Sequence, residues 1–124
     1  MGITMATARL SNLQDPARLF EQEFVVDTGA VSSFAPADKL AAIGVTATRT
    51  KKFRLADGSI VRRGVGDVFF EIAGERASAA VVFGESADEA LLGAVTLESL
   101  GLAVDPVSRR LFPVVLLAVG ARPA

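Results

Sequence analysis

The chain has 124 residues, 51% of them hydrophobic, with 13 basic and 14 acidic side chains and a net charge of −1. That length and composition predict one domain, 1-124, with a real core, and the charge balance argues against a polyanionic partner such as nucleic acid. There is no Cys and no His, which excludes disulfides, thiol nucleophiles, Ser-His-Asp and Cys-His catalysis and the usual zinc sites, and leaves carboxylates as the main acid–base candidates.

The N-terminus has no basic region followed by an apolar core, so no signal peptide is expected. Ile3, Met5, Ala8 and Leu10 alternate mildly and predict a strand over Gly2 to Ser11. Asp15-Pro16 marks a turn. Phe20 to Asp27 reads as the second strand, and Ser32 and Ser33 continue the loop after it. Pro36 fits the first position of a short helix with Ala37 to Ile43 as its body and Gly44 as its stop. Val45 to Thr50 is expected to be extended.

Arg49 to Val61 reads as a hairpin whose Phe53 and Leu55 alternate with Lys52 and Arg54, turning at Asp57-Gly58. Gly64 and Gly66 are expected to interrupt before a further strand, Val68 to Ile72. Gly74-Glu75 makes a turn and Ala77 to Phe83 the next strand. Leu91-Leu92 ends a short strand at Gly93, and Thr96 to Leu100 forms about one helical turn closed by Gly101. Leu102 to Val104 and Leu111 to Val119 are the predicted final strands, with Ala121 to Ala124 a frayed tail. Leu111 to Val119 is the most apolar run, contains Pro113 and falls far short of the ~20 residues that span a bilayer. The expectation is a mostly-β protein in the cytoplasm, with no membrane partner.

The rest of the chain is organised around Phe24-Val25-Val26-Asp27-Thr28-Gly29-Ala30. An apolar strand runs into a carboxylate, a hydroxyl and a glycine that permits a tight turn. Asp27 is thereby placed on a rigid base at the mouth of a loop. A lone Asp-Thr-Gly is more often an ordinary strand-to-turn segment with the Asp capping locally. Its weight grows with Leu91-Leu92-Gly93, which lies far downstream ahead of a short helix, and with the hairpin between the two motifs.

Asp27-Thr28-Gly29-Ala30, followed by Leu91-Leu92-Gly93, resembles the paired motifs of retropepsin-like aspartic proteases, from about Phe20 to Val119. The resemblance implies an all-β, closed barrel-like domain with a flap hairpin and one or two short helices. It implies a homodimer acting on an extended peptide or protein substrate, with Asp27 from each subunit as the catalytic pair and no metal or cofactor. The same resemblance assigns Thr28 to bracing the two loops across the dimer and Gly29 to leaving room for substrate backbone. Ala56, Asp57, Gly58 and Ser59 fall at the flap, and the chain ends build an intersubunit sheet. Only one Asp-Thr-Gly occurs, since Asp57-Gly58-Ser59 has the wrong order, so one chain supplies half a site. A two-fold axis would set Asp27 against its own copy.

Two positions depart from the pattern. Many relatives carry an acid where this chain has Val31 and an Arg where it has Ala94, the two forming an ion pair. Their joint loss motivates the alternative of a non-catalytic, dimeric peptide-binding module. Arg49, Lys51, Lys52, Arg54, Arg62 and Arg63 cluster on the hairpin and read by default as a solvated edge, the sharper alternative being a preference for acidic substrate or a weak nucleic-acid contact. Asp67, Glu71, Asp88, Glu89 and Glu98 read as surface charges, and Gly64-Val65-Gly66 lacks the strand-to-helix context of a nucleotide loop.

Overall fold

Alternating burial shapes the first hairpin: β1 (Thr4–Ser11) and β2 (Leu19–Val26) pair antiparallel, with Leu10 opposite Phe20 and Ala6 opposite Phe24. The computed structural model describes residues 2–115 and 118–123. Asn12 closes this hairpin: its Oδ1 accepts the amides of Gln14 and Asp15, and its Nδ2 donates to the Ile43 carbonyl at 2.9 Å. The turn is thereby tied to the end of a helix far along the chain.

After β2 come β3 (Phe34–Pro36), α1 (Ala37–Ala42), β4 (Arg49–Arg54), β5 (Ile60–Ile72), β6 (Glu75–Gly84), β7 (Leu91–Leu92), α2 (Ala94–Leu100), β8 (Leu102–Val104) and β9 (Leu111–Pro113). The order in the main sheet is β1-β2-β7-β3-β6-β5-β4, and β1 also pairs with β5 through Arg9–Glu71, Leu10–Phe70 and Ser11–Phe69. That extra pairing closes six strands into a ring and leaves β4 as the free edge. The fold is therefore mostly β and barrel-like, with a projecting hairpin and two short helices, as expected. The ring encloses Leu10, Phe24, Val68, Phe70, Val81 and Leu92, all fully buried, with Phe24 and Phe70 tilted at 6.4 Å. Leu40 of α1 and Leu97 and Leu100 of α2 join the same core. Among the described residues no helix is long and apolar enough to cross a membrane.

Four expectations are corrected. Gly64 and Gly66 do not break a strand; β5 runs through both for 13 residues. Their faces are occupied by the segment just before β4: a Cβ on Gly64 would stand 2.8 Å from the Ala47 Cβ, and one on Gly66 2.8 Å from the Thr46 carbonyl oxygen. The glycines admit a crossing chain rather than a bend. Pro36 precedes α1 as its N-cap instead of opening it, with ψ at 126°, because it still belongs to β3. α2 begins at Ala94, two residues before the expected Thr96, and closes on Gly101 in the left-handed region (φ 67°). The last strand ends at Pro113, where proline cannot donate to a ladder; Val115 and Val119 are exposed in the single chain, and Leu116 and Leu117 of the predicted strand lie outside the described residues.

Candidate active site

The two motifs are built into each other by backbone bonds. β2 and β7 pair parallel, Val25 with Leu91 and Val26 with Leu92. The Val25 amide donates to the Ala90 carbonyl at 3.0 Å and the Asp27 amide to the Leu92 carbonyl at 2.9 Å. Past Asp27 the chain turns, with the Ala30 amide donating to the Asp27 carbonyl at 3.1 Å. Leu92 itself is fully buried, so the residue that holds the Asp27 amide is anchored in the core.

Asp27 emerges exposed from this frame, with Thr28 and Gly29 also exposed beside it. Its Oδ1 accepts the Gly29 amide at 2.9 Å, which orients the carboxylate within its own turn. Gly93 is required for closeness: a Cβ there would meet the Ser32 carbonyl oxygen at 2.5 Å. That approach lets the Ala94 amide donate to the Ala30 carbonyl at 2.7 Å and the Val95 amide to the Val31 carbonyl at 3.2 Å. Beneath the turn, Ser33 Oγ accepts the Gly93 amide at 2.9 Å and meets Thr96 Oγ1 at 2.5 Å, both side chains buried. Two isolated hydroxyl residues such as Ser33 and Thr96 give no signal in sequence until the loop after β2 and α2 are brought together.

A cleft of about 660 Å³ opens above Asp27. Asp27, Gly29, Ala30, Val31 and Ser32 line one part of it, and Arg54, Leu55 and Ala56 of the β4–β5 hairpin another. Phe34 and Phe53 line it as an edge-to-face pair at 5.3 Å, with Leu91, Ala87, Asp88 and Glu89 completing it. The hairpin thus reaches over the aspartate through Leu55 and Ala56, while Asp57, Gly58 and Ser59 sit at its tip and do not line the cleft. Thr28, Leu92 and Gly93 likewise lie outside the lining.

The tip is a three-residue loop rather than a two-residue turn. The Leu55 amide donates to the Ser59 carbonyl at 2.8 Å, the Gly58 amide donates back to the Leu55 carbonyl, and Gly58 takes φ 86°. Asp57 Oδ1 accepts both the hydroxyl and the amide of Ser59, at 2.6 and 2.9 Å, which holds its carboxyl below the usual carboxylate range.

Asp88 and Arg63 are not surface charges. Arg63 Nε donates to Asp88 Oδ2 at 2.7 Å and Nη2 to Oδ1 at 3.1 Å, with side-chain exposures of 11% and 8%. Asp88 Oδ2 also accepts the Glu85 amide at 2.8 Å. The Arg63 hydrogen bond holds the Asp88 carboxyl below its ordinary value, and Asp88 raises Arg63 in turn. The fork ties β5 to the loop after β6, on one wall of the cleft. Arg49 is also paired, with Asp67 at 3.1 Å. Lys51, Lys52, Arg54 and Arg62 remain the exposed cations expected of an edge.

No family model matches the sequence, and no curated protein matches it. Among solved structures the chain is similar to the solution structure of the simian foamy virus (mac) protease, with a TM-score of 0.53 and 17% identity over 76% of this chain and 91% of that one. It is also similar to the crystal structure of a retropepsin-like aspartic protease from Rickettsia conorii, with a TM-score of 0.48 and 19% identity over 85% of this chain and 89% of that one. The fold is that of the retropepsin-like aspartic proteases.

Proposed function

We propose that the protein is a homodimeric aspartic endopeptidase in which Asp27 of each protomer forms the catalytic pair. The observation that carries this reading is the placement of Asp27: an exposed carboxylate on a backbone frame anchored in the core, facing a cleft that a hairpin overhangs. One chain offers one such acid, and a two-fold axis supplies the second. Exposed apolar side chains support association: Val31 is 67% and Val95 44% exposed beside the Asp27 loop, and Phe112 and Val115 lie exposed near the chain end. Such a dimer would bury roughly 2,000 Å² or more.

Two carboxylates held close together share one proton, because both cannot ionise cheaply. The ionised member takes a proton from water as the water oxygen attacks the scissile carbonyl carbon. The protonated member donates to the carbonyl oxygen, and the resulting tetrahedral diol collapses as a proton passes to the departing amine. Leu55 and Ala56 of the hairpin close over an extended substrate and exclude water. Thr28 braces the two loops.

The test is cleavage of an unbiased peptide mixture by the wild-type chain and by Asp27→Asn, with the oligomeric state of both followed by sedimentation. The expected result is a dimer in each case and a loss of turnover of about 10³-fold or more in the variant. Equal cleavage by the variant, or a wild-type chain that stays monomeric while cleaving, would falsify the proposal. The exposed Val31 and the neutral Ala94 favour a second reading, a dimer that holds peptides without cutting them. Measurable peptide affinity with no turnover between about pH 3 and pH 8, a span that brackets a coupled carboxylate pair, selects that reading.

A further inference from the structure

Four formally charged side chains line the cleft: Asp27, Arg54, Asp88 and Glu89. Three of them are hydrogen-bonded within the protein, and of these only Asp88 is paired with an opposite charge. Asp88 has both oxygens taken by Arg63 and one also by the Glu85 amide. Arg54 Nη1 donates to the Gly58 carbonyl of its own hairpin at 3.1 Å. Asp27 accepts the Gly29 amide and carries the proposed chemistry. Glu89 differs: it is exposed, and its carboxylate takes no hydrogen bond and no ion pair among the described residues.

The backbone at Glu89 is nevertheless held in place. Asp88, before it, is clamped by Arg63. Ala90, after it, accepts the Val25 amide, and Leu91 pairs with both β2 and β3. A free carboxylate therefore extends from an anchored backbone on the wall of a cleft whose lining, beyond Asp27, Arg54 and the Arg63-paired Asp88, is largely apolar. Low-dielectric walls strengthen a charge that faces such a concavity. The edge-to-face Phe34 and Phe53 provide the apolar contact surface in the same cleft.

We propose that Glu89 is a specificity-determining residue, selecting peptides that carry a Lys or Arg close to the scissile bond, beside an apolar side chain received by Phe34 and Phe53. This rests on the peptide-cleaving reading of the same cleft. A two-fold dimer carries two such carboxylates, one in each half of the cleft, so a basic residue on either side of the scissile bond is accepted. Acidic residues at those positions are disfavoured by like charge.

The experiment compares three peptide series in which a single position near the cleavage site carries Lys, its uncharged isostere norleucine, or Glu. Each is tested with the wild-type chain, Glu89→Gln and Glu89→Lys, for cleavage and, in an Asp27→Asn background, for binding by fluorescence anisotropy. In the wild type, kcat/KM for Lys should exceed that for norleucine by roughly tenfold, the scale of one charge-assisted contact, and Glu should rank last. Glu89→Gln should bring the Lys-to-norleucine ratio close to one, Glu89→Lys should invert it toward Glu, and salt near 1 M should shrink it. Cleavage with no Lys preference, or a preference that survives Glu89→Gln, overturns the inference and leaves the endopeptidase reading standing. Glu89-dependent binding of Lys peptides without cleavage sustains the selectivity and defeats the endopeptidase reading. Neither binding nor cleavage defeats both.

Discussion

Ser33 and Thr96 meet hydroxyl to hydroxyl beneath the Asp27 loop, and Ser33 also receives the Gly93 amide. This small polar knot sits in a region otherwise filled by apolar side chains, with Ser33 and Thr96 each 1% exposed. It joins the loop after β2 to the start of α2, so the two motif segments are tied together through buried side chains as well as backbone.

Removing one side of that knot strands the other. Ser33→Ala leaves the Gly93 amide and the Thr96 hydroxyl without their partner in the interior, and should cost about 1–3 kcal/mol of stability. Thr96→Val keeps shape and leaves Ser33 still bonded to Gly93, so it should cost less, about 1 kcal/mol. Urea unfolding of both single variants and the double variant checks this. The double variant should cost less than the sum of the singles, because the second change removes a group already orphaned by the first.

The Arg63–Asp88 fork sets an acid limit on one cleft wall. Asp88 is depressed in the folded protein, first through the Arg63 hydrogen bond. Its contribution to stability is complete above the unfolded carboxyl value of about 3.9 and is lost as pH falls through the lower folded value. Asp88→Asn removes that pH-dependent part. Thermal unfolding at pH 7 should show the variant lowered by on the order of 5 °C, while at pH 2 the gap should narrow. A gap of equal size at both pH values would refute the assignment.

The tip of the hairpin offers a more local test. The Ser59 hydroxyl is the leading cause of the depressed Asp57 carboxyl. Ser59→Ala should therefore raise the Asp57 titration midpoint in carbon-detected NMR, with the Ser59 amide bond retaining part of the depression. Global stability should move by less than about 0.5 kcal/mol, as for exposed substitutions in general.

Much of the arrangement was legible because it obeys local rules. An apolar run ending in Asp-Thr-Gly, a second ending in Leu-Leu-Gly and an Asp-Gly tip each specify their own backbone, and each stands where expected. What could not be read depends on segments meeting far apart in sequence. Gly64 and Gly66 look like strand breakers, and only the crossing of Thr46 and Ala47 above them explains a continuous β5. Asp88 looks like any exposed acid until Arg63 arrives from β5. Phe34 follows the Asp27 loop closely yet gives no sign of facing a cleft until Phe53 is folded against it. The strand β3 is three residues long and has no periodicity to detect.

That crossing makes Gly66 the more sensitive of the two glycines. A methyl group there meets the Thr46 carbonyl at 2.8 Å and Phe83 at 3.1 Å. Backbone and a ring must both yield, so Gly66→Ala should cost about 1–3 kcal/mol by overpacking. Gly58→Ala meets no atom within 4 Å, so any cost there comes from its φ of 86° alone. Measuring both by denaturant midpoint separates crowding from backbone strain. In the first, truncating Phe83 should recover part of the loss; in the second it should recover nothing.

Val31 and Ala94 carry the last prediction. The Val31 carbonyl accepts the Val95 amide and the Ala30 carbonyl accepts the Ala94 amide, so the loop after β2 and the start of α2 are already stitched by backbone. Val31→Asp alone introduces an exposed charge with no cation assigned to it. Val31→Asp with Ala94→Arg supplies one across the same stitch. The double variant should fold at least as stably as the wild type, and its coupling energy should be about 0.2–1 kcal/mol, the range of an exposed ion pair. A thermodynamic cycle of the two single variants and the double variant measures it. Zero coupling would mean that the side chains at 31 and 94 diverge, and that the backbone bonds alone hold this junction together.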